Sequence, residues 1–141
     1  MPQSSIRLSF GFRDTRAIVA NLYAADVRAQ RDIRRNVKDA GDFFLDLAYF
    51  LAPFDSSWMR DHLRASYSDD GLVFEGGYRS EDFVGKKNYR GELITTFYPP
   101  LVEDGTRFMA AQPHARPAFE EAVDGMGRDI SVSLRRALTR R

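Results

Sequence analysis

The sequence predicts an α+β domain in which a small, mainly antiparallel sheet packs against a long N-terminal helix and a C-terminal helix. Two patterns predict the helices, since apolar residues recur every three or four positions over residues 15–52 and again over residues 117–139. Alternating apolar and polar residues at 5–12, and a strand-turn-strand sequence within 63–98, predict the sheet. Because single domains most often have about 100–150 residues, we expect residues 1–141 to form one domain.

Composition excludes several classes of site. The chain has no cysteine, which excludes disulfides and thiolate metal ligands. Its 21 Lys and Arg residues nearly balance 20 Asp and Glu residues, so net charge alone gives no reason to expect a polyanion as partner. The sequence has no signal-peptide pattern and no uncharged run of the roughly 18 residues that a membrane helix needs, so we expect a soluble protein without a membrane partner.

The long helix begins after a capping residue, Asp14 or Thr15. It is either continuous or kinked at Gly41, and it ends at Ala52 because the residue before Pro53 avoids the helical region. At about 1.5 Å per residue the helix would be roughly 50 Å long, more than a small core needs. Its charged first half is interpreted either as a solvated face or as a surface that contacts a neighbouring subunit.

Between the two helices, the sequence predicts several smaller elements. A short helix or turn follows at residues 56–62. Asp69-Asp70-Gly71 lies between two apolar segments and predicts a hairpin, with Gly71 in the left-handed conformation. Residues 79–92 are polar, contain two glycines and predict a mobile loop, after which residues 92–98 predict a further strand.

The C-terminal helix is predicted to start at Pro117, since proline suits the first helical position. Glu120 and Glu121 complement the positive end of its dipole. The end of the helix is rich in arginine, with Arg135, Arg136, Arg140 and Arg141. These arginines are interpreted in two ways, since they either contact phosphate or complement the negative end of the helix dipole.

No catalytic, metal or cofactor site is predicted. His62 and His114 are far apart in sequence and lack the carboxylate spacing of a metal site, so we expect structural roles for both. Trp58 is interpreted as an anchor in the core or an interface in preference to part of a binding cage.

Four landmarks occur in order along the chain: Ala52-Pro53, Ser56-Ser57-Trp58-Met59-Arg60, Leu101-Val102-Glu103-Asp104-Gly105-Thr106 and Pro113-His114-Ala115-Arg116-Pro117-Ala118. The set resembles the head-to-tail connector and tail-completion proteins of the phage neck, the gene-product-ten family of HK-type lambdoid phages. That family shows a long helix ending in Ala-Pro, then Thr-Gly-x-Leu-Arg, Tyr-x-x-Val-Glu-Phe-Gly-Thr and Pro-Phe-x-Arg-Pro-Ala. The resemblance runs from about residue 15 to the C-terminus, and the last two landmarks carry most of it.

The resemblance implies a structural virion protein, not an enzyme, that forms a ring in the neck of a tailed phage, prophage or phage-like particle and joins the DNA-filled head to the tail. It implies as partners other copies of the chain, adjacent adaptor or stopper proteins, tail terminator or tail-tube proteins and DNA in the channel, and it implies no cofactor. The expected location is the virion neck, after assembly in the host bacterial cytoplasm. The residues expected in structural or interface roles are Pro53, Trp58, Arg60, Glu103, Gly105, Thr106, Pro113, Arg116 and Pro117.

The last two landmarks predict a rigid corner of the fold. We expect a positive φ at Gly105 and a hydrogen bond between the Thr106 hydroxyl and nearby backbone. We also expect Pro117 to fix the start of the last helix, with the charged groups of Glu103 and Arg116 within ion-pair distance, in one subunit or across two.

Two other classes of function remain open. A nucleic-acid-binding module would use the arginine-rich C-terminus together with Tyr or Phe residues on the sheet, and salt-dependent DNA binding would favour it. A small hydrolase has no supporting triad or metal spacing in this sequence.

Overall fold

The computed structural model of the chain describes residues 7–10, 27–53 and 57–139. Over these residues the fold is the predicted α+β arrangement, with a three-stranded antiparallel sheet and two long helices that pack against it. In chain order the elements are β1 (Arg7–Phe10), α1 (Val27–Leu51), α2 (Ser57–Asp61), β2 (Arg64–Tyr67), β3 (Phe74–Gly77), a 3₁₀ turn (Ser80–Asp82), α3 (Pro99–Asp104) and α4 (Ala115–Thr139).

The sheet has the strand order β1-β3-β2, so the last of these strands in the chain lies at the centre. β2 and β3 form the predicted hairpin, in which Arg64 lies opposite Gly77. Gly71 adopts a φ of 72° in the connection between them, which confirms the left-handed conformation expected from Asp-Asp-Gly.

The two faces of the sheet differ in character. Phe74 on the central strand is fully buried, and its ring centroid lies 6.4 Å from that of Phe44 on α1. The next residue, Glu75, points to the opposite face, where its carboxylate lies 2.9 Å from Nε of Arg7 on β1. The helices therefore cover one apolar face, while the other face is polar.

The helices α1 and α4 lie side by side and run in opposite directions. Asn36 Nδ2 on α1 donates to Ser133 Oγ near the end of α4 at 2.9 Å, whereas the ring of Phe44 lies 6.1 Å from that of Phe119 near the start of α4. The buried residues recur at the predicted helical spacing and extend along α1 from Ala29 to Ala48. The described part of α1 is thus packed over its length and does not protrude from the domain.

Gly41 allows a strand to approach α1 closely. The helix passes through this position without interruption, and a Cβ atom there would overlap the phenol of Tyr67 on β2. Tyr67 Oη donates to the carbonyl of Lys38 at 3.2 Å.

α1 ends at Leu51, one residue before the predicted end. The predicted start of this helix at residue 15 lies outside the described residues, as do the predicted strand residues 5, 6, 11 and 12.

Residues 79–92, predicted to form a mobile polar loop, contain a core residue. Phe83 is fully buried, and its ring meets those of Tyr78 and Phe97 edge to face at 5.8 Å and 5.4 Å. A single phenylalanine in a polar run gave too weak a periodic signal to indicate burial. The loop is therefore attached to the domain through its own side chain.

The strand predicted at residues 92–98 is wrong. The N–H of Ile94 donates to the carbonyl of Lys86 at 2.8 Å, and the carbonyl of Ile94 accepts from Gly85 at 2.8 Å, so this segment closes the preceding loop instead of extending the sheet. Pro99 and the proline after it cannot donate to a strand ladder but suit the first turn of a helix. They begin α3, which was not predicted.

Candidate functional site

The two strongest landmarks of the sequence meet at one corner of the fold. α3 ends at Gly105, whose φ of 75° confirms the predicted positive φ. After this residue the chain turns, and Thr106 Oγ1 accepts the N–H of Phe108 at 3.2 Å, which confirms the expected bond to nearby backbone. The chain then returns beside α3, where the N–H of Gln112 donates to the carbonyl of Val102 at 2.8 Å. The corner is therefore closed by backbone as well as side-chain bonds.

The carboxylate of Glu103 lies at the N-terminus of α4 and accepts three backbone N–H groups. Oε2 accepts from His114 at 3.0 Å and from Ala115 at 3.1 Å, and Oε1 accepts from Arg116 at 2.8 Å. An α-helix leaves its first four N–H groups without partners inside the helix. These four groups belong to residues 114–117, counted from His114 just before the helix, and Pro117 has no N–H. Glu103 and Pro117 together thus account for every unpartnered donor at the start of α4, and the helix dipole favours the negative charge there.

Within one chain, the predicted ion pair between Glu103 and the guanidinium of Arg116 is wrong. Glu103 binds the backbone N–H of Arg116, while the Arg116 side chain is exposed. The N–H groups of a first helical turn point along the axis toward the preceding chain, whereas the side chains point outward, so the backbone is the group that meets the carboxylate.

Pro117 is the third residue of α4 and not the first, because the helix begins at Ala115. Pro113 is exposed just before this start.

His114 connects the capped helix to the sheet. Its ring is fully buried, with Nδ1 at 3.1 Å from both the Gln112 carbonyl and Glu103 Oε2, and with Nε2 at 2.7 Å from Tyr78 Oη. Both neighbours of Nδ1 are acceptors, so Nδ1 carries a proton, and Nε2 is hydrogen-bonded to the Tyr78 hydroxyl. Burial, assisted by the charge of Glu103, raises the pKa of Tyr78, so its hydroxyl keeps its proton.

The earlier landmarks close the C-terminal end of α1. Arg60 Nη2 donates to the carbonyl of Ala52 at 2.9 Å, and the Arg60 guanidinium carbon lies 5.0 Å from the ring centroid of Tyr49. Carbonyls at a helix C-terminus lack partners inside the helix, and a cation is favoured there by the dipole. Pro53 follows and prevents the helix from continuing.

Trp58 attaches the polar loop to α2. Its Nε1 donates to the carbonyl of Asp82 at 3.1 Å, and its ring stacks on His62 with centroids 4.1 Å apart. The Asp82 carboxylate accepts both Nε and Nη2 of Arg64, at 2.7 Å and 3.0 Å. Tyr89, from the end of the loop, packs against the indole at 5.2 Å. These contacts support the interpretation of Trp58 as an anchor inside the domain.

Three exposed phenylalanines were not identified from the sequence. Phe43 and Phe50 lie seven residues apart on the outward side of α1, 48% and 76% exposed, and Phe108 is 85% exposed on the turn after Gly105. The sequence signal available for Phe43 and Phe50 was their seven-residue spacing, next to the buried residues of α1. Aromatic side chains are enriched at protein contact surfaces.

The described residues show no metal centre. His62 Nδ1 lies 2.7 Å from the Trp58 carbonyl, so both histidines occupy packing positions. No three His, Asp or Glu side chains within residues 7–10, 27–53 and 57–139 come together as a metal site, and none of the helices described there is long and apolar enough to cross a membrane. Comparisons of this chain with protein-family models, curated proteins and solved structures give no match.

Proposed function

We propose that this protein is a structural component of a tailed phage, prophage or phage-like particle, and that it forms a ring in the neck that joins the DNA-filled head to the tail. It works by contact and not by catalysis. Its partners are other copies of the chain, an adaptor or stopper protein on one side, and a tail terminator or tail-tube protein on the other. Assembly takes place in the cytoplasm of the host bacterium.

The cap formed by Glu103 is the observation that carries this proposal. The two landmarks that most resemble the neck proteins, residues 101–106 and 113–118, are joined by that one carboxylate into a single buried unit. Gly105 allows the backbone to reverse direction, and Pro117 lacks the one N–H at the start of α4 that Glu103 does not bind. Both residues therefore fix the course of the backbone at this corner. A fixed backbone suits a protein whose function depends on its shape.

The buried polar groups at this corner favour a contact function over hydrolysis. Both oxygens of Glu103 are occupied by backbone donors, and both ring nitrogens of His114 have partners inside the protein. A general base must present a lone pair to the substrate. Glu103 and His114 are both buried and do not reach a substrate in solution.

Separate exposed aromatic surfaces also support a ring. Closed rings of more than two copies use head-to-tail contacts, which require two different surfaces on each subunit. Phe43 and Phe50 lie on α1, whereas Phe108 lies on the turn between α3 and α4. Two distinct surfaces of the required kind are thus available on one chain.

Particle assembly tests the proposal. The gene is deleted from the source genome, and particles are examined by electron microscopy. We expect filled heads and tails that remain unjoined, joining on addition of the purified chain, and portal, capsid and tail-tube genes beside the deleted one. Particles that join normally without the chain would overturn the proposal.

A nucleic-acid-binding function is the second candidate, because the fold brings basic residues together. The antiparallel packing of the long helices places Arg31 and Arg35 near the end of α4, where Arg135 and Arg136 are exposed. Phe74 of the sheet is buried against the helices and is not available to stack on bases. Fluorescence anisotropy with duplex DNA over a range of salt concentrations tests this candidate. Absence of binding at low salt would eliminate it.

A further inference from the structure

A groove lies open on the outer side of the helix pair, between α1 and α4. Its lining is apolar and consists largely of small residues, with Ala40, Ala122, Gly125 and Met126 beside the half-exposed ring of Phe43. The volume of the groove is about 280 Å³. Since an apolar cavity of roughly 150 Å³ can hold a benzene ring, the groove has room for an aromatic side chain.

The rim of this groove is acidic. Asp39 on α1 and Glu121 and Asp129 on α4 border it, against a single base, Arg128. All four side chains belong to exposed residues. An aromatic group that carries a positive charge beside it matches both the apolar lining and the charged rim.

The turn between α3 and α4 presents such a group. Phe108 is 85% exposed, and the guanidinium carbon of Arg107 lies 4.6 Å from its ring centroid. The turn is held by the Thr106 N–H, which donates to the Met109 carbonyl at 2.8 Å, and by Gly105. A tip that is already ordered loses little conformational entropy on binding.

We propose that the tip formed by Arg107 and Phe108 of one subunit docks into the groove between α1 and α4 of a second copy of the chain. The Phe108 ring enters the apolar lining, and Arg107 faces the acidic rim. The exposure of Phe108 shows that it does not occupy the groove of its own chain. Tip and groove are different parts of the subunit, so the contact runs head to tail and repeats into a ring or an open chain.

This inference deepens the proposed function by naming the contact between ring subunits. It rests on that function only for closure of the ring, since docking of tip and groove is a property of the chain itself. The contact is small, and interfaces of little area are weak, so we expect it to form at high protein concentration.

The absence of cysteine allows site-directed crosslinking. Ala110→Cys, at an exposed position beside the tip, and Glu121→Cys, in a tagged preparation, are mixed at high concentration and treated with a short bis-maleimide. Arg107 and Phe108 are both kept in this pair. We expect the mixed dimer to predominate over either homodimer. The control pairs Ala110→Cys with Glu120→Cys, the neighbouring exposed residue outside the groove lining. A yield no higher than this control, or a predominance of Ala110→Cys homodimers, would overturn the inference.

A second set of variants tests the side chains. Phe108→Ala added to the first chain, or Gly125→Phe added to the second to fill the groove, should lower the yield of mixed dimer by about tenfold, the loss expected on removing an interface hot spot. Leu138→Ala removes an apolar side chain that is 64% exposed on α4 and lies outside the groove lining, and it should leave the yield unchanged. Circular dichroism verifies that each variant folds. Equal yields from all three variants would contradict docking by Phe108.

The crosslinking experiment tests the contact between subunits, and the assembly experiment tests the neck function, so either proposal can be rejected without the other. Mixed dimers together with normal head-to-tail joining in the deletion strain would remove the neck function and keep the contact. Unjoined particles together with no mixed dimer would keep the neck function and remove the contact.

Discussion

Glu103 Oε1 accepts the backbone N–H of Arg116 at 2.8 Å across a separation of 13 residues. Because Oε2 of the same carboxylate accepts the two preceding N–H groups, a side chain of α3 completes the N-terminus of α4. A single buried carboxylate thus fixes the start of the last helix against α3.

Replacement of Glu103 by alanine leaves three N–H donors without their acceptor. Each unsatisfied buried donor costs about 1–3 kcal/mol. Since water can enter the space left by truncation, we expect the free energy of unfolding to fall by about 3 kcal/mol in total. Urea denaturation followed by circular dichroism measures this change. Asp104→Ala, which removes the neighbouring exposed carboxylate, is the control and should change stability by less than about 0.5 kcal/mol. Similar stabilities of the two variants would contradict the role of Glu103.

Gly105→Ala should destabilise the protein for two reasons. The φ of 75° is unfavourable for alanine, and the added Cβ atom would lie 2.6 Å from the backbone nitrogen of Ala111. We expect a loss of about 2 kcal/mol or more in the free energy of unfolding. Gly127→Ala is the matched control, since a Cβ atom there meets no heavy atom within 4 Å and the residue lies within α4. It should stabilise the protein by up to about 1 kcal/mol, and the same sign for both variants would refute the explanation.

Phe83→Ala should show that residues 79–92 are attached to the core. Removal of a fully buried phenylalanine costs about 3–5 kcal/mol. Val84→Ala truncates the next side chain, which is 48% exposed, and should have little effect. Hydrogen exchange provides a second measurement, with slow exchange expected for the amides of Gly85 and Ile94, which are bonded across the loop. Rapid exchange of both amides would restore the prediction of a mobile loop.

Tyr67 should make the protein sensitive to alkaline pH. Partial burial, together with the nearby charge of Asp42, raises the pKa of Tyr67 from 10.0 to about 12. The folded state therefore holds this proton more tightly than the unfolded state, so the stabilisation is complete below pH 10 and is lost as the pH rises toward 12. Thermal unfolding across this range should show a smaller decrease in Tm for Tyr67→Phe than for the wild type. Tyr49→Phe is the control, and identical slopes for all three proteins would contradict the assignment.

The isolated chain should be a monomer or a weak oligomer at micromolar concentration. The tip and the groove bury too little area for a stable ring without help, whereas a preassembled partner in the particle holds successive subunits side by side. Light scattering of the purified protein measures its mass. A stable closed ring under these conditions would reject assembly on a template and would leave the connector role standing.

Much of the fold could be predicted from the sequence because the relevant signals are local. Helical spacing, the proline at 53 and the turn at Gly71 indicated the end of α1 and the hairpin. The positive φ of Gly105 followed from its position between two acids and a threonine. The segment at residues 92–98 was misassigned, since its β-propensity does not reveal whether a partner strand is present.

The sequence by itself determined the helix periods, the hairpin and the position of the corner at Gly105, because each depends on steric limits and spacings within a few residues. Only the tertiary structure decided that Glu103 binds the backbone of Arg116 and not its guanidinium, that Phe83 is buried, and that Phe43 borders a groove. Each of these depends on which groups the packing of distant elements brings within a few ångströms. Spacing along the chain carries no such information, since a carboxylate can bind whichever donor the fold places beside it.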